Sequence, residues 1–339
     1  MSFRVRAARD DDFQAIYEMA KLTGGGFTNL PPDRGALVAK LAQSADAFAR
    51  VADPAVGDLF LFVLENVATG QIRGTCQIFS RVGMQQPFYS YRISTLSQTS
   101  RELGRTFKAE MLSLCTDFEG SSEVGGLFLH PGERAGGLGL LIARSRYLFI
   151  KLHRERFADR VIAELRGVID EAGGSPFWDA IAGRFFGMSF QEADEFNASH
   201  GTQFIADLMP KTPIYTAMLP ESARQVLGVP HPSGRAAMKM LEGEGFTADG
   251  YVDIFDGGPT MSVATDRIRT IRESREFALS ETVEAREANN ALIAAGRLEN
   301  FAACYGSLHT GQSTAAALDA QSAALLGIAP GETFLAMAR

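Results

Sequence analysis

Leu127-Phe-Leu-His-Pro-Gly-Glu-Arg134-Ala-Gly-Gly137-Leu-Gly139-Leu-Leu-Ile-Ala-Arg-Ser-Arg146 is the stretch on which the reading of this chain turns. A short apolar strand runs into a turn rich in glycine, and Leu140, Leu141, Tyr147 and Leu148 then recur at roughly helical spacing. Arg134-x-x-Gly137-x-Gly139 puts residues without side chains where the first N–H groups of a helix have no partner. Those groups and the positive end of the helix suit a diphosphate, to which Arg134 would add charge-assisted hydrogen bonds. The same glycines also suit a merely close-packed turn, and the local pattern leaves both readings open. Other phosphate loops fit worse. A Walker loop needs Lys and Ser or Thr after Gly137, and a dinucleotide fingerprint needs a third glycine after Gly139.

Working outward, residues 3–8 read as a first strand, followed by a helix seeded at Asp10, Asp11 and Asp12 and a second helix over 32–49. Residues 58–65 and 71–80 read as a hairpin, with further strands at 88–95, 110–117 and 126–129. A helix over about 138–154 leads to a buried strand at 160–165. The pattern is α+β, with a mixed, mostly antiparallel sheet flanked by helices. Residues 167–220, with the lone tryptophan Trp178, read as an insertion. A helix over 233–245 and a strand over 250–255 then close a unit spanning 1–259. The remainder, 260–339, reads as a connector helix over the alternating charges of 267–286, then a small α/β appendage with a strand at 300–307, an alanine-rich helix at 313–326 and a strand at 333–338.

Composition narrows the function without naming it. Net charge is −7, which argues against unaided nucleic-acid binding. The start has no apolar signal core, and no apolar run approaches membrane-spanning length, so a cytoplasmic chain without membrane contact is expected. Cys76, Cys115 and Cys304 are dispersed, and no two histidines stand four apart. Neither a disulfide framework nor a metal site is expected. Without a Gly-x-Ser-x-Gly elbow, a hydrolase triad has no support.

The turn resembles the pyrophosphate cradle of GNAT-type acyl-CoA N-acyltransferases, and the order of elements is theirs. The likeness then narrows. Thr23-Gly-Gly-Gly-Phe-Thr-Asn-Leu-Pro-Pro-Asp33, Pro87-Phe-Tyr-Ser-Tyr-Arg92, Ser100-Arg-Glu-Leu-Gly104, Arg166-Gly-Val-x-Asp-Glu171, Ser175-Pro-Phe-Trp178, Leu208-Met-Pro-Lys211 and Tyr251-Val-Asp-Ile-Phe-Asp-x-Gly-Pro-Thr260 resemble the arginine N-succinyltransferase family, in family order over most of the chain. The resemblance implies a GNAT-like fold and transfer of succinyl from succinyl-CoA, a co-substrate rather than a resident cofactor, to the α-amino group of arginine. It also implies an oligomer, of one chain or of two related subunits, and acceptance of ornithine by some members.

It carries over His231, in Gly228-Val-Pro-His231, as proton donor, and Leu127 as a succinyl-CoA contact, with Leu129 on the same strand. Here Ser122-Glu-Val-Gly-Gly126 replaces the usual Ser-Glu-Leu-Cys-Thr, a change expected to bear on acyl selectivity, and Lys211-Thr212 replaces a common Lys-His pair. In this fold class the loop over 24–30, with Phe27 and Asn29, is expected to line the acceptor pocket. Arg92 is a candidate carboxylate clamp, or else an arginine covering a sheet edge. Glu164, inside an apolar strand, needs a partner: a guanidinium, or only Arg166. Asp253 and Asp256 read as solvated. An inactive CoA-binding subunit, or an enzyme with another amine acceptor, remains the alternative reading.

Overall fold

The computed structural model describes residues 2–23, 29–52, 57–201, 203–284, 291–310 and 314–339. The chain opens with β1 (Phe3–Ala7), α1 (Phe13–Lys21) and α2 (Arg34–Ala49), whose N-cap Asp33 accepts from Ala36 N at 2.7 Å. Then come β2 (Leu59–Asn66), β3 (Gln71–Phe79), β4 (Ser90–Ser100), β5 (Arg105–Cys115) and β6 (Ser122–Leu129). The decisive stretch ends β6 and, after its glycine turn, starts α3 (Leu138–Leu152), which leads into β7 (Arg160–Glu164). Short helices α4 (Pro176–Ala180), α5 (Gly183–Phe186), α6 (Phe190–His200) and α7 (Gln203–Leu208), strand β8 (Ile214–Tyr215) and α8 (Glu221–Val226) follow. α9 (Arg235–Glu244), β9 (Thr247–Val252) and β10 (Pro259–Ala264) come next.

The sheet runs β8-β5-β4-β9-β10-β7-β6-β3-β2-β1 and is antiparallel at every one of these pairings except β6–β7. This mixed α+β, mostly antiparallel arrangement is the GNAT-like fold expected. No helix among the described residues is long and apolar enough to cross a membrane.

Beyond 259 the expectations need correction. β10 extends the main sheet past that point, bonded to β7 and β9. No long connector helix forms: α10 (Arg269–Glu273) is one short helix, and β11 (Arg275–Val283) is a strand. Alternating charge has period two, so it suits a strand with solvated edges as well as a helix, and pairing with two neighbours decides between them. After β12 (Ala291–Ala295), β13 (Ala302–Gly306) and β14 (Leu308–Thr310), the alanine-rich run begins as β15 (Ala315–Asp319). Only α11 (Ala320–Leu326) is helical, before β16 (Thr333–Ala338). Asp319 sets that boundary by accepting from Ser322 N at 2.8 Å as N-cap. Nor is the segment a mere appendage. β13 bonds to β1, so β12, β16, β11, β15 and β14 prolong the same sheet.

The helices cover the sheet through aromatic packing. Phe149 of α3 lies 4.9 Å from Phe60, 5.0 Å from Phe62 and 5.1 Å from Phe301, ring centre to ring centre. It thereby joins β2 to the C-terminal segment. Trp178, fully buried and stacked on Phe255 at 5.6 Å, centres a second core under the short helices. Phe149→Ala is expected to lower stability by about 3–5 kcal/mol, read from urea denaturation; a loss under about 1 kcal/mol would contradict this packing.

Candidate active site

The site begins where two strands part. β6 and β7 pair in parallel at Ser122–Val161 and Glu123–Ile162; beyond Glu123 the described residues show no pairing between them. On its other edge β6 carries a bulge against β3: Thr75 faces Phe128 and Gln77 faces Gly125, leaving one residue, Cys76, opposite Gly126 and Leu127. Gly126 has φ +56°, a left-handed conformation that glycine adopts without strain. Its carbonyl accepts from Thr75 Oγ1 at 3.0 Å, and that of Gly125 from Arg146 Nη1 at 3.3 Å. A side chain at 125 would meet Asn29, whose Nδ2 lies 2.7 Å from the Cβ position. In the unusual Gly125-Gly126 pair, Gly125 thus makes room for Asn29 and Gly126 for Gln77. Leu127 and Leu129 lie on this bulged strand, at the opening.

After Leu129, His130 is tied down: its N–H donates to Arg73 O at 2.9 Å and its Nδ1 contacts Arg73 Nη2 at 2.8 Å. Gly136 (φ +65°) and Gly137 (φ +80°) then turn the chain into α3, with Gly137 as N-cap. The N–H groups of Gly137, Gly139 and Leu140 have no acceptor among the described residues. Arg134 beside them is exposed. The turn therefore presents free donors, a helix N-terminus and a cation, which is what an anion such as a diphosphate requires.

Beyond the ends of the separated strands lies a cavity of about 170 Å³, lined by Asn29, Glu164, Arg166, Asp194, Asp253 and Asp256 with Phe88, Tyr89, Phe190 and Phe255 among its other walls. Its electrostatics are unusual. Burial, with Asp253 and Glu123 beside it, pushes Glu164 well above the usual carboxylate range, and its Oε1 is buried with no hydrogen-bond partner. Burial and the neighbouring Asp253 push Asp256 up to about 8. It does so although Oδ2 accepts from Gly167 N at 2.7 Å and Oδ1 from Gly258 N at 2.8 Å. Burial likewise raises Asp253 and Glu123. Conversely, burial lowers Lys40 to about 8; its Nζ donates to Asn29 O at 2.6 Å and Gln77 Oε1 at 3.0 Å. Asn29 in turn donates to Glu123 Oε1 at 3.3 Å and accepts from Gln77 Nε2 at 2.6 Å. Acids clustered in a confined space hold protons until a cation arrives. Such a cavity selects a positively charged ligand. Arg166, whose buried Nε has no partner, adds a place for a carboxylate.

His231 reaches this region through the backbone. Its N–H donates to Arg166 O at 2.8 Å, next to a bridge between Gly167 and Pro230. Ser233 N–H donates to Nδ1 at 3.2 Å and Ser233 Oγ lies 2.7 Å from it, which assigns the hydrogen of the neutral ring to Nε2. Partial burial and Arg166 lower its pKa.

Not every expected residue joins the site. Arg92 does not line the cavity: its side chain, 52% exposed, pairs with Asp117 at 3.3 Å, and Tyr251 hydroxyl donates to the same carboxylate. Phe27 lies outside the described residues. Asp253 and Asp256, expected in solvent, instead line the cavity, because the turn between β9 and β10 is bonded to the chain just after β7, Gly167 N–H donating to Asp256 Oδ2. Glu123, Lys40 and Arg166 were missed as site residues. Local sequence gives little signal for them: Glu123 stands among serines and glycines, and Lys40 lies on a helix where a lysine is ordinary.

Comparison with known proteins adds an independent line. The family model described as arginine N-succinyltransferase beta subunit matches residues 3–270, and that of its C-terminal domain matches 275–338. The chain is 42% identical over 284 residues to an arginine N-succinyltransferase of Citrobacter koseri, covering 84% of this chain and 81% of that protein. It is 42% identical over 277 residues to the one of Shigella dysenteriae, covering 82% and 80%. The solved structure of arginine/ornithine succinyltransferase subunit AI from Pseudomonas aeruginosa superposes with a TM-score of 0.89 at 32% identity, covering 99% of this chain and 98% of that one.

The cavity's electrostatics are directly measurable. In carbon-13 NMR the Asp256 carboxyl is expected to titrate with a midpoint about 8, and Asp253→Asn to move it down. A midpoint near 4, ordinary for aspartate, would contradict the buried cluster.

Proposed function

The chain belongs to the arginine N-succinyltransferase family, and from that premise we propose that it is a cytoplasmic enzyme transferring succinyl from succinyl-CoA to the α-amino group of L-arginine. The observation that carries the acceptor is the buried carboxyl cluster of Glu123, Glu164, Asp253 and Asp256 beside the β6–β7 opening. Succinyl-CoA lies along Leu127 and Leu129 with its diphosphate on Arg134, Gly137 and Gly139, so that the thioester enters between the separated strands. The guanidinium of arginine is received by the acidic wall, with Glu164 as its nearest partner. Asn29 shapes the same wall, and Arg166 takes a substrate carboxylate.

Attack requires a neutral amine. Carboxyls held above their usual range are suited to accept the α-ammonium proton near neutral pH. The C–N bond forms as the C–S bond breaks, the departing sulfur takes a proton from His231, and the second proton shed by the attacking nitrogen restores that of the histidine. Ser233 Oγ can turn to accept from Nδ1 in the imidazolium form. The lowered pKa makes that form scarcer at pH 7 but a stronger acid. The matched model is described as that of a subunit, and we read the chain as working in an oligomer.

Thiol release from succinyl-CoA by the purified chain is expected to depend on arginine and to fall at least roughly tenfold in His231→Ala. Glu164→Gln is expected to raise KM for arginine about 10- to 100-fold, the loss of a charge-assisted contact. Equal release with arginine, ornithine or no acceptor would overturn the assignment. Binding of a cation lowers the raised pKa values, so protons held by the cluster leave as arginine enters. Calorimetry of arginine binding at pH 7, in buffers of different ionisation enthalpy, should show proton release; identical heats would contradict it.

A further inference from the structure

The turn before α3 is completed by residues 168 and 203 positions away. Arg339, just past β16, donates from Nη2 to Gly136 O at 2.5 Å. Its guanidinium lies 4.1 Å above the ring centre of Tyr305 on β13. The Tyr305 hydroxyl donates to Gly137 O at 2.9 Å. A Cβ on Gly137 would lie 2.7 Å from Arg339 Nη2 and 3.5 Å from Tyr305 Oη, so the three groups form one packed unit.

We propose that Tyr305 and Arg339 are positioning residues for CoA, setting the diphosphate cradle from the C-terminal segment. This rests on the reading of the turn as a CoA site. In a trans peptide the C=O and the following N–H point in opposite directions. Holding Gly136 O toward Arg339 therefore turns Gly137 N–H the other way, toward the open mouth of the turn. Holding Gly137 O keeps that residue in the N-cap position from which Leu141 N–H also bonds to it, at 3.0 Å. Two consecutive left-handed glycines have no side chains to hold their peptide planes, so an outside clamp is the natural means of fixing them. Arg339 spends one N–H on Gly136 and lays its guanidinium on the Tyr305 ring, so each of the two side chains steadies the other's hold on the turn. β13 and β16 belong to the matched C-terminal domain, so the inference gives that segment a part in donor binding.

The test compares CoA with pantetheine, which lacks the phosphates, in binding to the full chain. In the wild type, Arg339→Ala, Arg339→Lys and Tyr305→Phe, the preference for CoA over pantetheine is measured by calorimetry and competition. Arg339→Ala should narrow that preference about tenfold, and Arg339→Lys should restore part of it. Tyr305→Phe, which removes only the hydroxyl, should narrow it about fivefold. A preference unchanged in Arg339→Ala, or affinities for both ligands falling equally, would overturn the proposal. CoA binding without arginine-dependent turnover by the wild type would instead overturn the enzymatic reading and leave this inference standing.

Discussion

The parting of β6 from β7 after Glu123 is the constraint on which the rest of the site depends. A parallel pair carried to its end would satisfy both strand edges and close the surface. Here the bulge at Gly126 and Leu127 bends β6, while β7 remains bonded to β10. The gap that results is bounded by backbone, so its width is set by hydrogen-bond register and not by a mobile side chain. At one end stands the glycine turn with its free donors; at the other lies the acidic cavity.

The cavity shows how a fold can sustain several buried acids. Each is hydrogen-bonded or adjacent to a group that is, yet Glu164 retains an orphaned oxygen. Isolated, such groups would be costly in charged form; they lower that cost by holding protons. The substrate then exchanges its own charge for theirs. In the proposed scheme the carboxyls that receive the guanidinium give up their protons, and a neighbour still held above the usual carboxylate range takes the α-ammonium proton. Lys40, lowered to about 8 by burial, shares one hydrogen-bond network with Asn29, Gln77 and Glu123. That network is possible only because positions 125 and 126 carry no side chain.

The C-terminal strands are bound into this design in two ways. β13 covers the edge of β1, which would otherwise expose unpaired backbone groups. Phe301 packs on Phe149 and so on the helix whose start forms the diphosphate turn. Tyr305 and Arg339 reach that same start from the side. The helix is therefore held along its length by the main sheet and at its mouth by the C-terminal segment.

Local sequence was informative wherever one residue's own chemistry decides its conformation. Gly136 and Gly137 specify a left-handed turn, Asp33 caps α2, and the apolar runs of β2 and α3 bury themselves; hence the strand–turn–helix unit, the order of elements and the family were all legible. His231 was legible through its family context, and Glu164 because an acid in an apolar strand demands an explanation. Elsewhere the neighbours decided. Within the charged run at 267–286, Arg275–Val283 became a strand because β15 and β16 flank it, and the first alanines of the last helix became β15 because β11 and β14 offer backbone partners. Arg92 is drawn away by Asp117, and the turn that brings Asp253 and Asp256 to the cavity is tied by the N–H groups of Gly167 and Gly258 to the Asp256 carboxyl. The sequence by itself determined most of the elements, since these follow from contacts within a few residues, and through its family resemblance it pointed to the reaction class. Only the tertiary structure decided which charges share a cavity and which distant carbonyl receives Arg339, because burial and long-range hydrogen bonds belong to pairs of segments and not to either one alone.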